Sequence, residues 1–352
     1  MILVDEGQSP IILCLPHSGT DVPNAVSGRL NATGRLQADL AWRLERVFGF
    51  HADLDLTVLR SSVSRYVIDP DVDPALQPGA DADKPALCPE TTLDGKRIYQ
   101  DGEEPGPTEI EQRVLLFHTP FHNELRKQID RLMRRHRHIV LLDCQSMRSQ
   151  IKGVTDKGLS VFNIGSAGGL SCDADLRNLF VGSFSGLEGL TVGVDEQTTG
   201  GYIVQSYGKP DHGIHSLTLL LAQRSYLRHE SPPFEPDRTR VSRLQSVLAD
   251  SFSRIIDWLG SQDRAHAATA NESAPAPPED VEYTTEADIP PARGDGDEPA
   301  DESGSRSDEG ETQASLDQKE IIPVDPMTLT QQAAPGDDPQ SLQRQMPLLV
   351  AE

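Results

Sequence analysis

The sequence predicts an α/β domain built on a largely parallel sheet, followed by an acidic tail with no fold of its own. Three observations carry that reading. Strand-like and helix-like patterns alternate through residues 1–263. Two unbroken apolar runs, Ile11–Leu15 and Ile139–Leu142, empty directly into polar clusters, as buried strands do in parallel sheets. At Arg264 the composition changes to Ala, Pro, Ser, Gly, Asp and Glu, with Tyr283 the single aromatic residue beyond it. The 352 residues carry a net charge of −23, and residues 264–352 hold twenty acidic against five basic residues, a net −15. Such a segment buries too little apolar surface to offset the entropy of ordering it, so the tail is expected to be disordered. Glu320–Val324 and Met346–Val350 are its two apolar islands and the places where a protein partner would dock.

The elements are expected in this order. Ile11–Leu15 is a buried strand that runs into Pro16, His17, Ser18 and Gly19. Leu36–Phe48 has helical periodicity. Leu54–Arg60 and Tyr66–Asp69 read as strands, and Pro70–Pro89 as a long acidic loop. A helix starts at Thr108, with Glu111 at capping-box spacing and an apolar face through Val114, Leu115 and Phe117. Pro120 kinks or restarts it before it continues to about His136. Ile139–Leu142 is the second buried strand. Leu159–Ile164, Leu190–Val194 and Leu217–Leu221 are further strands, and the amphipathic helix Val241–Leu259 closes the domain.

Charge and hydropathy exclude several classes. Without a basic stripe there is no counterion release to drive nucleic-acid binding, and the run Arg126–Arg137 reads as a solvated helix face. An acidic chain is a poor ligand for anionic lipid, and its apolar runs are far shorter than the ~18 residues of a membrane span. Met1–Gly7 has no secretory pattern, so the cytoplasm is the expected location. Cys14, Cys88, Cys144 and Cys172 are scattered and read as reduced thiols.

Ligands of open parallel sheets bind outside the carboxyl ends of the strands, so polar residues after apolar runs are the first candidates. They are His17, Ser18 and Asp21; Asp143, Gln145, Ser146, Arg148 and Ser149; and Thr198, Thr199, Gly200, Gly201, Tyr202, Tyr207 and His215. His118 and His122 have the i, i+4 spacing of a helix-borne metal pair. Pro120 lies between them, and they read instead as surface or capping histidines. Cys144 is set aside as a nucleophile because Asp143 beside it would raise its pKa.

The order of these clusters resembles the N-formylglutamate amidohydrolase family over residues 8–230. The carrying segments are Leu15-Pro16-His17-Ser18-Gly19, Ser64-Arg65-Tyr66-Val67-Ile68-Asp69, Leu87-Cys88-Pro89, Pro120-Phe121-His122, Leu141 to Ser149, Gly200 to His215, and Ala222 to Tyr226. The resemblance implies a three-layer α/β sandwich like that of zinc carboxypeptidases. It also implies hydrolysis of the formamide of N-formyl-L-glutamate at the end of a histidine degradation route, with zinc or another divalent metal. Carried over residue by residue, it puts His17, Asp21 and Gln145 at the metal, Asp143 and His215 in catalysis, and Ser18, Arg65, Arg148, Gly200, Gly201 and Tyr202 around a small-molecule ligand.

The chain departs from the family where chemistry is concentrated. Gln145 stands where a His is usual, and Ala41-Trp42-Arg43 where Asp-Trp-His is usual. Pro70-Asp71-Val72 replaces Leu-Asn-Arg, and Gln197-Thr198-Thr199 replaces Arg-Phe-Lys. Gln205 takes the place of an Arg, Leu220 of a Glu and Thr218 of a Gln. A neutral amide oxygen is a weaker zinc ligand than imidazole, so the cofactor is either a weakly held divalent metal or none. Leu220 cannot act as a base, and the missing guanidinium forks would have gripped a dicarboxylate. Three readings stay open. The domain keeps the fold without the reaction and serves as a binding or regulatory module; or it is an active amidohydrolase on a less acidic substrate, using His17, Asp143 and His122 or His215; or the acidic tail is the functional part and the domain its carrier.

Overall fold

A computed structural model describes residues 2–76 and 85–272, with side chains as far as Arg264. Its elements are β1 (Ile2–Asp5), β2 (Ile11–Leu15), α1 (Asn24–Ser27), α2 (Ala32–Leu36), β3 (Thr57–Ser61), α3 (Pro107–Arg113), α4 (Thr119–Met133), β4 (Ile139–Met147), β5 (Phe162–Gly165), α5 (Ala174–Gly182), β6 (Val192–Val194), α6 (Tyr202–Tyr207), β7 (Ile214–Ala222) and α7 (Arg238–Glu272). The strands form one sheet in the order β1-β3-β2-β4-β7-β5-β6. The central β3, β2, β4 and β7 are mutually parallel, whereas β1 and β5 join their neighbours β3 and β7 antiparallel. The sheet is therefore mixed, and its parallel part lies in the middle.

Alternation along the strands divides the core. Ile11, Leu13, Leu15, Val140, Leu142, Leu217, Leu219 and Leu221 pack on one face against Leu176 and Phe180 of α5 and Leu244, Leu248 and Phe252 of α7. Ile12, Cys14, Ile139 and Leu141 point the other way, onto Phe121, Leu125, Ile129 and Leu132 of α4 and Ile203 of α6. Helices thus cover both faces, and strands buried on both sides read as continuous apolar runs. All four cysteines are free and buried. No helix among the described residues is long and apolar enough to cross a membrane.

Several expectations need correction. Leu36–Phe48 is not one helix: Gln37 and Arg43 have φ of 49° and 60°, and the backbone breaks into turns there. Its apolar period is nonetheless real, because Leu40, Leu44, Val47 and Phe48 are buried. Tyr66–Asp69 is a turn rather than a strand. The helix at residue 108 starts instead at Pro107, capped by Gly106 without a side-chain bond, so the capping box does not form. A π-helical turn, Val114–His118, absorbs the break before Pro120, and Leu115 on it is 69% exposed. The strand at Ile139 runs on to Met147, so Asp143 and Gln145 lie on the strand and not after it. Helix α7 extends to Glu272, beyond the composition change at Arg264, and the tail from residue 273 lies outside the described residues. β1, α1, α5 and α6 had no clear sequence signal.

Phe252 is buried and packs its ring against Phe48, Phe50 and Phe180. Phe252→Ala should cost about 3–5 kcal/mol in urea unfolding, as large-to-small changes of buried aromatics do. Leu115→Ala should change stability by less than about 0.5 kcal/mol, because its side chain already meets water.

Candidate functional site

On the α4 and α6 face, β4 carries Ile139 and Leu141 in the apolar core, then Asp143 and Gln145, then Met147 in a second apolar cluster. Two polar side chains thus interrupt an otherwise apolar sheet face near the carboxyl end of the parallel strands. The loop after β3 covers them. Gln145 Nε2 donates to Asp143 Oδ2 at 2.6 Å and to Asp71 Oδ2 at 2.8 Å. Thr218 Oγ1, on the neighbouring β7, donates to Asp143 Oδ2 at 3.1 Å. Asp71 N in turn donates to Asp69 Oδ1, which also receives His17 Nε2 at 2.7 Å, while Arg65 Nη2 donates to Asp69 Oδ2 at 2.6 Å. A single hydrogen-bonded chain therefore runs from Arg65 and His17 through Asp69, Asp71 and Gln145 to Asp143.

The covering loop is held by side chains from three helices. His122 Nε2 donates to Pro70 O at 2.8 Å, and His118 Nε2 to Val72 O at 3.0 Å, gripping the peptide groups on either side of Asp71. With Nε2 a donor, the neutral His122 ring accepts the Tyr207 hydroxyl at Nδ1, 2.9 Å away. The buried Arg113 donates to Val67 O at 2.7 Å. From α6, Tyr202 N donates to Asp71 O and Ile203 N to Asp71 Oδ1. Residue 201 has to be glycine, because a Cβ there would lie 2.0 Å from Asp71 Oδ2.

Burial alone would raise the Asp69 carboxyl, but Arg65 and then His17 hold it well below the usual carboxylate range. Asp71 is pushed up to about 6 by burial and then by the neighbouring Asp69 charge. Asp143 is raised well above the ordinary value by burial and then by Asp71. Asp71 and Asp143 resist ionising together, and a neutral amide between them supplies N–H groups but no charge. His122 is lowered to about 4 by burial and then by His118.

The expected residues are only partly brought together. His17, Arg65, Asp143, Gln145, Gly201 and Tyr202 meet in this chain. Gly200, at φ 104°, shapes the turn that precedes them. Ser18 turns its hydroxyl back to Leu15 O. Arg148 does not join the chain: its Nη2 pairs with Asp39 at 2.8 Å, and its Nε is buried without a partner. Asp21 does not join: its side chain is exposed, and its backbone pairs with Ser62 and Val63. Nor does His215, which lies on the opposite face of the sheet. Its Nδ1 accepts Asp173 N, its Nε2 lies 3.2 Å from His138 Nδ1, and its ring meets the edge of Trp258. His118 and His122 are buried clamps, contrary to the surface role expected of them. Asp69, Asp71, Asp39 and Thr218 were absent from the candidate set. Asp69 closes the family-like segment Ser64–Asp69, and Asp71 and Thr218 stand at two of the departures from the family, but the run Asp69-Pro70-Asp71-Val72-Asp73 reads in sequence as a solvated loop.

The donor set does not fit a hydrolytic zinc, which needs about three good ligands and an open position. Among the described residues no group of three or more His, Cys, Asp or Glu side chains is arranged to hold a metal ion. His17 directs Nε2 at Asp69, Asp21 stays apart, and Gln145 presents N–H groups to the carboxylates.

With the geometry described, likeness to known proteins can be placed beside it. The profile of the N-formylglutamate amidohydrolase family matches residues 9–227. The N-formylglutamate deformylase of Pseudomonas putida is 30% identical over 256 residues, covering 72% of this chain and 94% of its own length. That of Pseudomonas aeruginosa is 28% identical over the same shares. The crystal structure of N-formylglutamate amidohydrolase from Ralstonia eutropha JMP134 superposes with a TM-score of 0.62 at 21% identity, covering 74% of this chain and 98% of that one, and supports the fold.

Asp71 provides a pH test. Its folded pKa lies above the unfolded value of 3.8, so its contribution to stability is present below that value and is lost as pH rises through about 6. Asp71→Asn removes this titration. Measured by urea unfolding at pH 4 and pH 7.5, the variant should gain on the wild type by about 2 kcal/mol between the two pH values. A difference that does not change with pH would contradict the electrostatic reading.

Proposed function

The chain belongs to the N-formylglutamate amidohydrolase family, and we propose that within it this domain binds a small N-acyl ligand but has lost most or all of the formamide hydrolysis. The single observation behind the proposal is the pairing of Gln145 on β4 with Leu220 on β7, directly opposite in the parallel ladder. Leu220 is buried among Met147, Ile151 and Leu159, so a water beside Gln145 would meet apolar surface where a proton acceptor is needed. Asp143 is fully buried, with Gln145 and Thr218 donating to Oδ2 and no partner on Oδ1, and Asp69 is paired with the Arg65 guanidinium and hydrogen-bonded to His17. Of the guanidinium groups that would anchor a dicarboxylate, Arg65 pairs with Asp69 and one nitrogen of Arg148 pairs with Asp39. The ligand that suits this site is therefore less acidic than N-formylglutamate. A sandwich of zinc-carboxypeptidase kind belongs to the same reading, supported by the four parallel central strands.

A second reading rests on Asp71. The half-buried residue has its carboxyl pushed up to about 6, which gives it the properties of a general base for a less acidic N-acyl substrate. Hydrolysis separates the two. Without a base the rate should fall by ~10²–10⁴. The full chain should therefore turn over N-formyl-L-glutamate at below about 0.1 s⁻¹, against about 10 s⁻¹ for a typical enzyme. Gln145→His alone should not restore activity, because Leu220 remains. Turnover at an ordinary enzymatic rate would overturn the proposal. Hydrolysis of N-formyl amino acids with neutral side chains, abolished by Asp71→Asn, would establish the second reading.

A further inference from the structure

Asp71 lodges against α6, and a pocket opens along the same face of that helix. We infer, on the reading of the domain as a binder of small N-acyl ligands, that this pocket receives the ligand's side chain and selects an uncharged, amide-tipped one over its carboxylate counterpart, with Gln205 and Thr199 as the deciding residues.

Gly201, Gln205 and Gly208 stand at i, i+4 and i+7 and so share one face of α6. At its start the missing Cβ of Gly201 makes room for Asp71 Oδ2, and at its end a Cβ on Gly208 would lie 2.5 Å from that of Ser171. Along this face lies a cavity of about 430 Å³, within the size range of small-molecule sites, lined among the described residues by Ala167, Leu170, Ser171, Thr199, Gln205 and two glycines. None of these side chains is charged. Arg177 and Asp195 approach the same loop but bond to Ser166, which is not part of the lining. The walls are fixed: Ala167 N donates to Thr199 O at 2.6 Å, and Ser171 Oγ donates to Ser216 O at 2.6 Å. Gln205 Nε2 donates to Gly200 O at 2.8 Å, which orients the amide and leaves its Oε1 an acceptor without a partner among the described residues; the Thr199 hydroxyl has none either. A primary amide can donate to the first and accept from the second. A carboxylate of the same shape brings only acceptors to Gln205 Oε1 and finds no cation in the lining. Leu170, also in the lining, is 79% exposed, an apolar surface that the aliphatic stem of such a side chain covers.

The test is isothermal titration of the full chain with N-formyl-L-glutamine and N-formyl-L-glutamate, ligands of equal size that differ only at the side-chain tip. The wild type should bind N-formyl-L-glutamine at least about tenfold more tightly, because the pocket matches its donor and offers the carboxylate none. Gln205→Met, which removes the acceptor at similar length, should bring the two affinities within about threefold of each other, and Gln205→Arg should reverse their order. Gln205 is exposed, so neither variant disturbs the core. Should either fail to fold, Thr199→Val takes its place, with the same loss of preference expected. Equal affinities in the wild type, a preference for N-formyl-L-glutamate, or a preference that the variants leave unchanged would overturn the pocket's role and leave the N-acyl reading standing. If the wild type binds neither ligand, both fall together.

Discussion

Two carboxyl groups inside a protein repel one another, and both lose hydration; everything distinctive in this domain follows from how Asp71 and Asp143 are kept together. The answer is a neutral amide. Gln145 donates to both but brings no charge; burial and then the Asp69 charge raise Asp71, and burial and then Asp71 raise Asp143, whose Oδ1 has no hydrogen-bond partner. Such a link holds only if the surrounding backbone is rigid. The π-helical turn before α4 brings His118 and His122 to the same loop, where they grip the carbonyls of Pro70 and Val72, and α6 begins against Asp71.

The same arrangement separates the chemistry of the site into two halves. Around Asp69 opposite charges are matched: the Arg65 guanidinium pairs with a fully buried carboxylate that His17 also meets by a hydrogen bond. Around Asp143 they are not, and the partners are an amide and a hydroxyl. Reactive groups are therefore either neutralised or desolvated, and the sheet position next to Gln145 is the apolar Leu220. A hydrolase needs an ionised base beside its water and an electrophile opposite; this face offers a fixed polar surface suited to recognising a ligand.

How much of this was legible in sequence depended on range. β2, β4, β7, α4 and α7 were visible because an apolar run or a helical period is a local property of the chain. The segment after Leu36 misled because its apolar period is real while Gln37 and Arg43 take left-handed backbone conformations that periodicity does not report. His17, Asp143, Gln145, Gly201 and Tyr202 stand out because they follow or lie in apolar runs, and Arg65 only through the family resemblance. His215 was misplaced for a related reason: the order of residues along β7 does not say which face a side chain takes, and an odd step of three positions puts it on the opposite face from Thr218. Asp69 and Asp71 are compared with the family in sequence but not assigned to the site, because a short acidic run looks solvated until Arg65, the histidine clamps and α6 are folded around it.

The central claim is that both N–H groups of the Gln145 side chain are bound by Asp71 and Asp143, and the most direct test is the ¹⁵N–¹H NMR signal of that amide, assigned by its loss in Gln145→Ala. The account predicts two well-separated, downfield-shifted protons that exchange slowly with water and move together as pH is taken from 4 to 8, following the carboxyls they bind. A pair of signals at free-glutamine positions, exchanging rapidly and indifferent to pH, would show that the amide does not bridge the carboxylates and would contradict the account.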